Sequence, residues 1–174
     1  VESILLRSQF SQVASEKGMG WSVGEGSGAI VLSRQSQANQ YPKNYANIDA
    51  VSFVPGVQAN SVKQSVFNAT AAANIQPGDI EYIEMYNGGM NNENQQERDG
   101  LRQAYGRKPV VVGSAKENIG HTFAASGMAS IIRSAICISE NFLPASHKAQ
   151  QGTCFNSLPA SQTWSKSASH PKRY

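Results

Sequence analysis

The most constraining feature of the sequence is residues 110–139, VVVGSAKENIGHTFAASGMASIIRSAICIS. It begins with consecutive valines, which favour a strand, passes through a short polar loop, and continues with small and apolar residues at helical spacing. A strand that leads through a tight loop into a helix is part of a crossover connection, so the stretch predicts an α/β fold. The loop holds three hydrogen-bond donors at this junction: Lys116, Asn118 and His121.

The rest of the chain alternates between strand and helix patterns. Apolar β-branched runs bounded by turn residues predict strands at 29–32, 48–54, 80–86 and 108–114. Apolar residues at helical spacing predict a helix from Asn60 or Ser61, either of which is a suitable N-cap, to residue 73. A polar helix is predicted over 93–105. A helix over 123–140 is apolar or small nearly all round and is predicted to be almost wholly buried.

Composition predicts one soluble, lightly charged domain. The chain has 174 residues, 40% of them hydrophobic and 16% charged, with a formal net charge of +3. No basic run alternates with aromatic residues, which argues against nucleic-acid binding. No apolar run reaches the roughly 18 residues of a membrane helix, and no signal peptide is evident, so the predicted location is cytoplasmic. Cys137 and Cys154 form no disulfide framework, and Cys137 is predicted to be a buried, inert thiol.

The loop before the last helix is the strongest candidate site. Its glycines allow a sharp turn, which places His121 at the mouth of the helix with Thr122 able to cap it. Crevices at the carboxyl ends of strands are where α/β proteins place their chemistry. Helix N-termini both cap and catalyse, so position alone leaves both roles open for His121. His121, His147 and His170 are too widely separated for a paired-ligand metal site.

Two further stretches are candidate sites. GEGSG, residues 24–28, is similar to a phosphate loop, but its spacing is G-x-G-x-G and a strand rather than a helix is predicted after it. Close backbone packing is therefore the preferred interpretation. IEMYNGGMNNENQQE, residues 83–97, leads from a strand into two glycines and a cluster of amides. It is either a site or an ordinary turn before a polar helix.

Taken together, these stretches resemble the C-terminal half of β-ketoacyl synthase (ketosynthase) domains, of the thiolase-like superfamily, from polyketide and polyunsaturated fatty acid synthases. The family's G-E-G-[AS]-G-A motif matches GEGSGAIVLSR at residues 24–34, and its V-G-S-x-K-x-N-I-G-H-T motif matches VGSAKENIGHT at 112–122. The resemblance runs through most of residues 10–145. It implies a thiolase-like α/β fold, one half of a layered αβαβα architecture with a mixed sheet and crossover helices.

The resemblance also implies a chemistry. Ketosynthases join an acyl chain held on a cysteine to a carbon unit released by decarboxylation of malonyl-acyl carrier protein, and two histidines polarise the thioester carbonyl as the enolate develops. His121 would be the second histidine and Lys116 the lysine that supports it. The substrate-binding residues would be Asn87, Asn118 and Thr122. Substrates arrive on the phosphopantetheine of the carrier protein, so neither a separate cofactor nor a metal is implied.

The sequence departs from the family pattern in three ways. The nucleophilic cysteine belongs to an N-terminal half that the chain lacks, and a glycine-rich GFGG-type segment would follow shortly after Tyr174. The chain is therefore predicted to be one partial domain, residues 1–174, inactive by itself. The family's H-G-T-G-T falls on YNGGM, which puts Tyr86 in place of the first histidine and Asn87 in place of the next glycine. Asn94 replaces an acidic residue, while Glu97 matches.

These departures leave several functions open. A non-elongating relative is favoured, because losing one oxyanion donor costs about 10²–10³ in rate. It would be a chain-length-factor-like partner or a ketosynthase that only passes acyl chains along. The alternatives are an active condensing enzyme in which Tyr86 or Asn87 works with His121, and a purely structural chain-length-factor subunit. The expected partners are acyl carrier protein, the remainder of the synthase, and a second subunit in a homodimer or a ketosynthase/chain-length-factor heterodimer, with neither nucleic acid nor membrane.

Overall fold

A computed structural model of the chain describes residues 23–106 and 109–145 and two short strands at 155–156 and 162–163. The helices of these parts are α1 (Ala59–Ala72), α2 (Asn91–Tyr105), α3 (Lys116–Ile119) and α4 (Ser126–Glu140). The strands are β1 (Tyr82–Glu84), β2 (Val110–Gly113), β3 (Phe142–Leu143), β4 (Phe155–Asn156) and β5 (Gln162–Thr163). Short 3₁₀ helices lie at Gln35–Gln40, Pro77–Asp79 and Phe123–Ala125.

The strands form a parallel sheet and a separate antiparallel pair. The parallel sheet has the order β1-β2-β4, and the register of its first pair aligns Tyr82 with Val111 and Glu84 with Gly113. Helix α2 connects β1 to β2, which is the crossover that parallel strands require. Strands β3 and β5 pair antiparallel. The predicted α/β class is confirmed, and the predicted strands at 80–86 and 108–114 and helices at 60–73 and 93–105 are present.

Helices pack against both faces of the parallel sheet. Because side chains alternate along a strand, β1 and β2 present one set of apolar residues to each face. On one face Met85 and Leu101 form a buried cluster to which α1 and α2 contribute. On the other face Tyr82 packs with Cys137 of α4 and with Leu143. The prediction that Cys137 is buried is confirmed, and burial raises the pKa of its thiol; Cys154 lies outside the described residues.

A buried ion pair joins three elements at the carboxyl end of β1. Arg133 of α4 donates to the Glu84 carboxylate and to the Tyr82 hydroxyl. The other oxygen of Glu84 accepts the backbone N–H of Ala115, in the loop after β2. Removing one partner of such a pair leaves an uncompensated buried charge, which costs about 3–5 kcal/mol. The carboxylate therefore fixes the start of the histidine-bearing loop relative to the sheet.

Two predicted strands are absent. Residues 29–32 and 48–54 belong to no strand, and Val51 and Phe53 are 83% and 87% exposed. Their β-branched composition favours strands, but a strand also needs a neighbouring backbone to pair with. Among the described residues no partner strand lies beside either segment.

The helices differ from the predictions at their ends and in their burial. The N-cap of α1 is Gln58 rather than Asn60 or Ser61, and the side chain of Gln96 on α2 accepts the N–H of Ala59 at 2.9 Å, so packing supplies the capping acceptor. The predicted helix over 123–140 is present, but its first turn is 3₁₀.

The predicted burial of the last helix is wrong. Ile131 and Ile136 are 45% and 48% exposed, because only one stripe of α4 faces the sheet and the described residues leave its outer side uncovered. No described helix combines the length and apolar character needed to cross a membrane.

Candidate active site

The loop after β2 is held by close backbone packing. Its short helix α3 ends at Gly120, which has a φ of 75°, and the chain then pairs through His121 with Val23. The N–H of Gly24 donates to the carbonyl of His121 at 3.2 Å. A methyl group at position 24 would lie 1.8 Å from the carbonyl oxygen of Ile119. The glycine-rich segment therefore supports the loop that carries His121, which agrees with the packing interpretation.

Gly24→Ala is expected to lower the free energy of unfolding by about 1–3 kcal/mol. The added methyl would overlap backbone atoms of Ile119 and Gly120, and these can be displaced only by shifting the loop. The measurement is chemical denaturation of the wild type and the variant. Gly127→Ala is the matched control: its site in α4 is open within 4 Å, and alanine should stabilise the helix by about 0.5–1 kcal/mol. Equal effects of the two substitutions would contradict the packing account.

His121 is a buried imidazole with an assignable tautomer. Its Nδ1 accepts the backbone N–H of Phe123 at 3.0 Å, so the proton of the neutral ring resides on Nε2. Burial, and then the nearby charge of Lys116, hold the pKa of His121 below its ordinary value. The ring is therefore neutral near pH 7 and presents an Nε2–H donor. Phe123 has a φ of 52°, a strained conformation for an aromatic residue that places its N–H on the imidazole.

Thr122 is buried beside the histidine but does not cap the helix as predicted. Its backbone N–H donates to Ser126 Oγ at 3.1 Å, and the two hydroxyl oxygens lie 3.2 Å apart. The acceptor for the Thr122 N–H is thus the hydroxyl of the first residue of α4. The Thr122 side chain orders the turn between His121 and α4.

Tyr86 and His121 meet at the carboxyl ends of β1 and β2. The Tyr86 hydroxyl lies 3.2 Å from His121 Nε2, and the rings pack edge to face with centroids 5.8 Å apart. Because Nε2 carries the proton, the phenol oxygen accepts it. Burial, and then the charges of Glu93 and Glu97, raise the pKa of Tyr86, so its hydroxyl stays protonated near neutral pH. The tyrosine side chain is 43% exposed and can be reached from solvent.

Lys116 lies against Tyr86, and its charge also reaches His121. Its Nζ donates to the Tyr86 carbonyl at 2.8 Å and stands 4.2 Å from the centre of the Tyr86 ring. Burial lowers the pKa of Lys116, while the charges of Glu97 and Glu84 oppose that change. The ammonium thus holds the backbone of Tyr86 by a hydrogen bond and its ring by a cation–π contact.

The turn after β1 is organised by the start of α2. Glu97 accepts the N–H groups of Tyr86 and Asn87 at 2.6 and 2.9 Å. Asn87 has a φ of 40°, which asparagine tolerates better than most residues where the family has glycine. Its side-chain amide donates to Glu117 at 3.1 Å. Asn94 accepts the N–H of Gly89 at 3.4 Å, a long contact.

Gly88 makes room for the tyrosine ring. A methyl group at position 88 would lie 2.4 Å from Cε1 of Tyr86. The family has threonine at this position, so the loss of that threonine and the replacement of histidine by Tyr86 are sterically linked. A tyrosine placed here beside a retained threonine would bring the two side chains into conflict.

The predicted site residues do not all come together. Asn118 is exposed on α3, and the described contacts do not bring its side chain to the other candidates. Glu93 was missed: its Oε2 is buried and has no hydrogen-bond partner among the described residues. The available signal was its spacing of four residues from Glu97, which puts both on one face of a helix. We call Tyr86, Glu93, Glu97, Lys116 and His121 the Tyr86–His121 cluster.

Comparison with known proteins places the chain in a family. Residues 45–150 match the family model described as beta-ketoacyl synthase, C-terminal domain. The chain belongs to the β-ketoacyl synthase family. The chain is 34% identical over 147 residues to the polyketide synthase GfsE of Streptomyces halstedii, a match that covers 76% of this chain and 4% of that protein. It is 30% identical over 149 residues to a polyunsaturated fatty acid synthase of a Thraustochytrium species, covering 76% of this chain and 7% of the relative.

Solved structures confirm the thiolase-like fold of the chain. A ketosynthase from module 6 of the bacillaene synthase of Bacillus subtilis superposes with a TM-score of 0.76 at 23% identity, covering 94% of this chain and 36% of that one. The ketosynthase–chain length factor of PfaC superposes with a TM-score of 0.64 at 22% identity, covering 75% of this chain and 16% of that one. The chain thus spans about a third or less of these ketosynthases.

Proposed function

We propose that the chain is part of a ketosynthase-type domain that handles acyl thioesters of polyketide or fatty acid biosynthesis but elongates them slowly or not at all. The observation that carries this proposal is the Tyr86 hydroxyl, 3.2 Å from His121 Nε2, at the position of the family's first histidine. One imidazole is then left to polarise a thioester carbonyl. Its donor hydrogen is already bound by the phenol oxygen, so an incoming carbonyl must displace that contact.

The chemistry at issue is the decarboxylation of a malonyl thioester. The bond to the carboxylate carbon breaks, carbon dioxide leaves, and the electron pair forms an enolate whose oxygen becomes negative. The enolate carbon would then attack an acyl chain on a cysteine supplied by the rest of the domain, and the thiolate would leave. Donors preorganised at the enolate oxygen set the rate of the first step. His121 Nε2–H is the donor in the cluster that matches the family in type and position.

One alternative is an active condensing enzyme that uses Tyr86 or Asn87 together with His121. The same short contact favours it, because a phenol hydroxyl and an imidazole N–H converge on one point and both could face a carbonyl oxygen. The other alternative is a purely structural chain-length-factor subunit. The retained His121 and Lys116 argue against it, since such a subunit needs neither.

The test uses the full-length protein that carries this chain, incubated with an acyl thioester and malonyl-acyl carrier protein. Mass spectrometry follows acyl loading and chain extension, and released carbon dioxide reports decarboxylation. We expect loading or transfer with little extension. Extension at ordinary enzyme rates, about 1–10³ per second, would select the condensing alternative, and absence of both loading and decarboxylation would select the structural one.

The 174-residue chain by itself is expected to catalyse no condensation. Cys137 is buried with a raised thiol pKa, which makes it a poor nucleophile. The proposed partners of the whole protein are acyl carrier protein, whose phosphopantetheine presents the substrates, the remainder of the synthase, and a second subunit in a homodimer or ketosynthase/chain-length-factor heterodimer. We place the protein in the cytoplasm, without a nucleic-acid or membrane partner and without a separate cofactor.

A further inference from the structure

The first two turns of α2 face the site with two carboxylates that are used differently. Glu93 and Glu97 are four residues apart and share one face of the helix. The two carboxylate oxygens of Glu97 accept hydrogen bonds from the backbone N–H groups of Tyr86 and Asn87. Those two bonds fix the rotation of α2 about its axis, and Glu93 is consequently turned toward the same segment. Its Oε2 is buried and unpartnered among the described residues.

The Tyr86 hydroxyl has a hydrogen to donate on that side. Its oxygen takes the proton of His121 Nε2, so its own hydrogen must point elsewhere. Lys116 and the backbone N–H groups of the turn are donors and cannot accept it. Both oxygens of Glu97 are already engaged. Glu93 lies within hydrogen-bonding reach of the Tyr86 side chain, and both this approach and its charge contribute to the raised pKa of Tyr86. Its charge also opposes the lowering of the pKa of His121.

We propose that Glu93 is the acceptor for the Tyr86 hydroxyl, so that Phe123 N–H, His121, Tyr86 and Glu93 form one hydrogen-bonded chain that ends in a carboxylate. A small rotation of the Glu93 side chain or of the phenol completes the last link. Glu93 is a positioning residue in this arrangement: it acts on substrate through Tyr86 and through its charge. An acidic residue in a first helical turn commonly serves the helix dipole from the surface, but this oxygen is buried.

The consequence concerns the enolate and rests on the proposed function. A carboxylate beside the developing enolate oxygen opposes its negative charge. It also orients the Tyr86 hydrogen away from the thioester. Both effects slow decarboxylation. Acyl transfer is less affected, because its negative charge develops at a different carbonyl. Glu93 would thus bias the site toward transfer, in opposition to the cation of Lys116.

The test compares Glu93→Gln with the wild type in the full-length protein. Fluorotyrosine is introduced at position 86 and titrated by fluorine NMR. The groups that face this phenol are Glu93, Glu97, Lys116 and His121, and only the first is changed. Glutamine has the same shape without the charge, so the apparent pKa of the phenol should fall. Malonyl decarboxylation should rise about tenfold.

Asp99→Asn is the matched control, since Asp99 lies on α2 in an exposed pair with Arg102. It should move neither readout. If Glu93→Gln shifts the titration no more than this control, the inference is overturned, whatever the enzyme's activity. A shifted titration with an unchanged decarboxylation rate would confirm the hydrogen bond and overturn the bias against the enolate. Failure of wild-type protein to load or transfer any acyl chain would count against the proposed function alone, because the titration needs no substrate.

Discussion

His121→Ala is expected to reduce the malonyl decarboxylation rate of the full-length protein by about 10²–10³, the usual effect of losing one oxyanion donor. The imidazole is neutral and its tautomer is set by the Phe123 N–H at Nδ1. Under the proposed function, its Nε2–H would leave the Tyr86 oxygen, 3.2 Å away, to bind the enolate oxygen. Decarboxylation of a labelled malonyl thioester measures the effect.

A conservative variant separates chemistry from folding. His121→Gln keeps an amide N–H donor near the position of Nε2 and should recover part of the rate. Both variants should load acyl chains. Because the ring is buried, the unfolding temperature of each variant is measured, so that a loss of stability is not mistaken for a loss of chemistry. If alanine and glutamine lower the rate equally while binding is unchanged, the histidine is structural and the proposed chemistry is wrong.

Tyr86→His is expected to raise decarboxylation by an order of magnitude or more, if the missing imidazole is what limits the reaction. The structure predicts a dependence on Gly88, because a side chain there collides with the tyrosine ring. Gly88→Thr alone should push Tyr86 away from His121. Combined with Tyr86→His, the same threonine should be tolerated and should add to the rate.

The double-mutant cycle is the control for this prediction. Independent sites give additive effects, whereas coupled neighbours do not. Strong coupling between positions 86 and 88 is expected in both stability and rate. An unchanged rate in Tyr86→His, with the nucleophile present and loading intact, would assign the domain to binding and chain-length control. A wild-type protein that already condenses at ordinary enzyme rates would contradict the non-elongating proposal.

The parallel sheet and the helices around it were predictable because their signals are local. The valines of β2, the alternating residues of β1 and the periodic apolar residues of α1 each contain enough information to define one element. Residues 29–32 and 48–54 carry the same local signal. A strand, however, needs a second segment to pair with, and the composition of the first segment does not reveal whether such a partner lies beside it. The prediction that α4 is buried was wrong for a related reason. An apolar surface indicates that a helix packs favourably against another element, but it does not show that the described residues include that element.

The candidate site was predictable in outline. Tyr86 and His121 follow neighbouring parallel strands, whose carboxyl ends converge whatever the details of the loops. The direction of Lys116 was not predictable, since its flexible side chain has carbonyls and an aromatic ring within reach. Glu93 was missed because its orientation depends on how α2 is rotated about its axis. That rotation is set by tertiary hydrogen bonds to Glu97.

The exposed segment at 48–54 has a practical consequence for anyone who handles the isolated chain. IDAVSFV combines β-branched and aromatic residues with a single charge, Asp49, and it exposes Val51 and Phe53 together with backbone that no described strand covers. Segments of this kind template edge-to-edge association. A net charge of +3 on 174 residues gives little colloidal repulsion, and added salt screens it further. Dilute, low-salt buffer is therefore the condition under which this chain should remain dispersed.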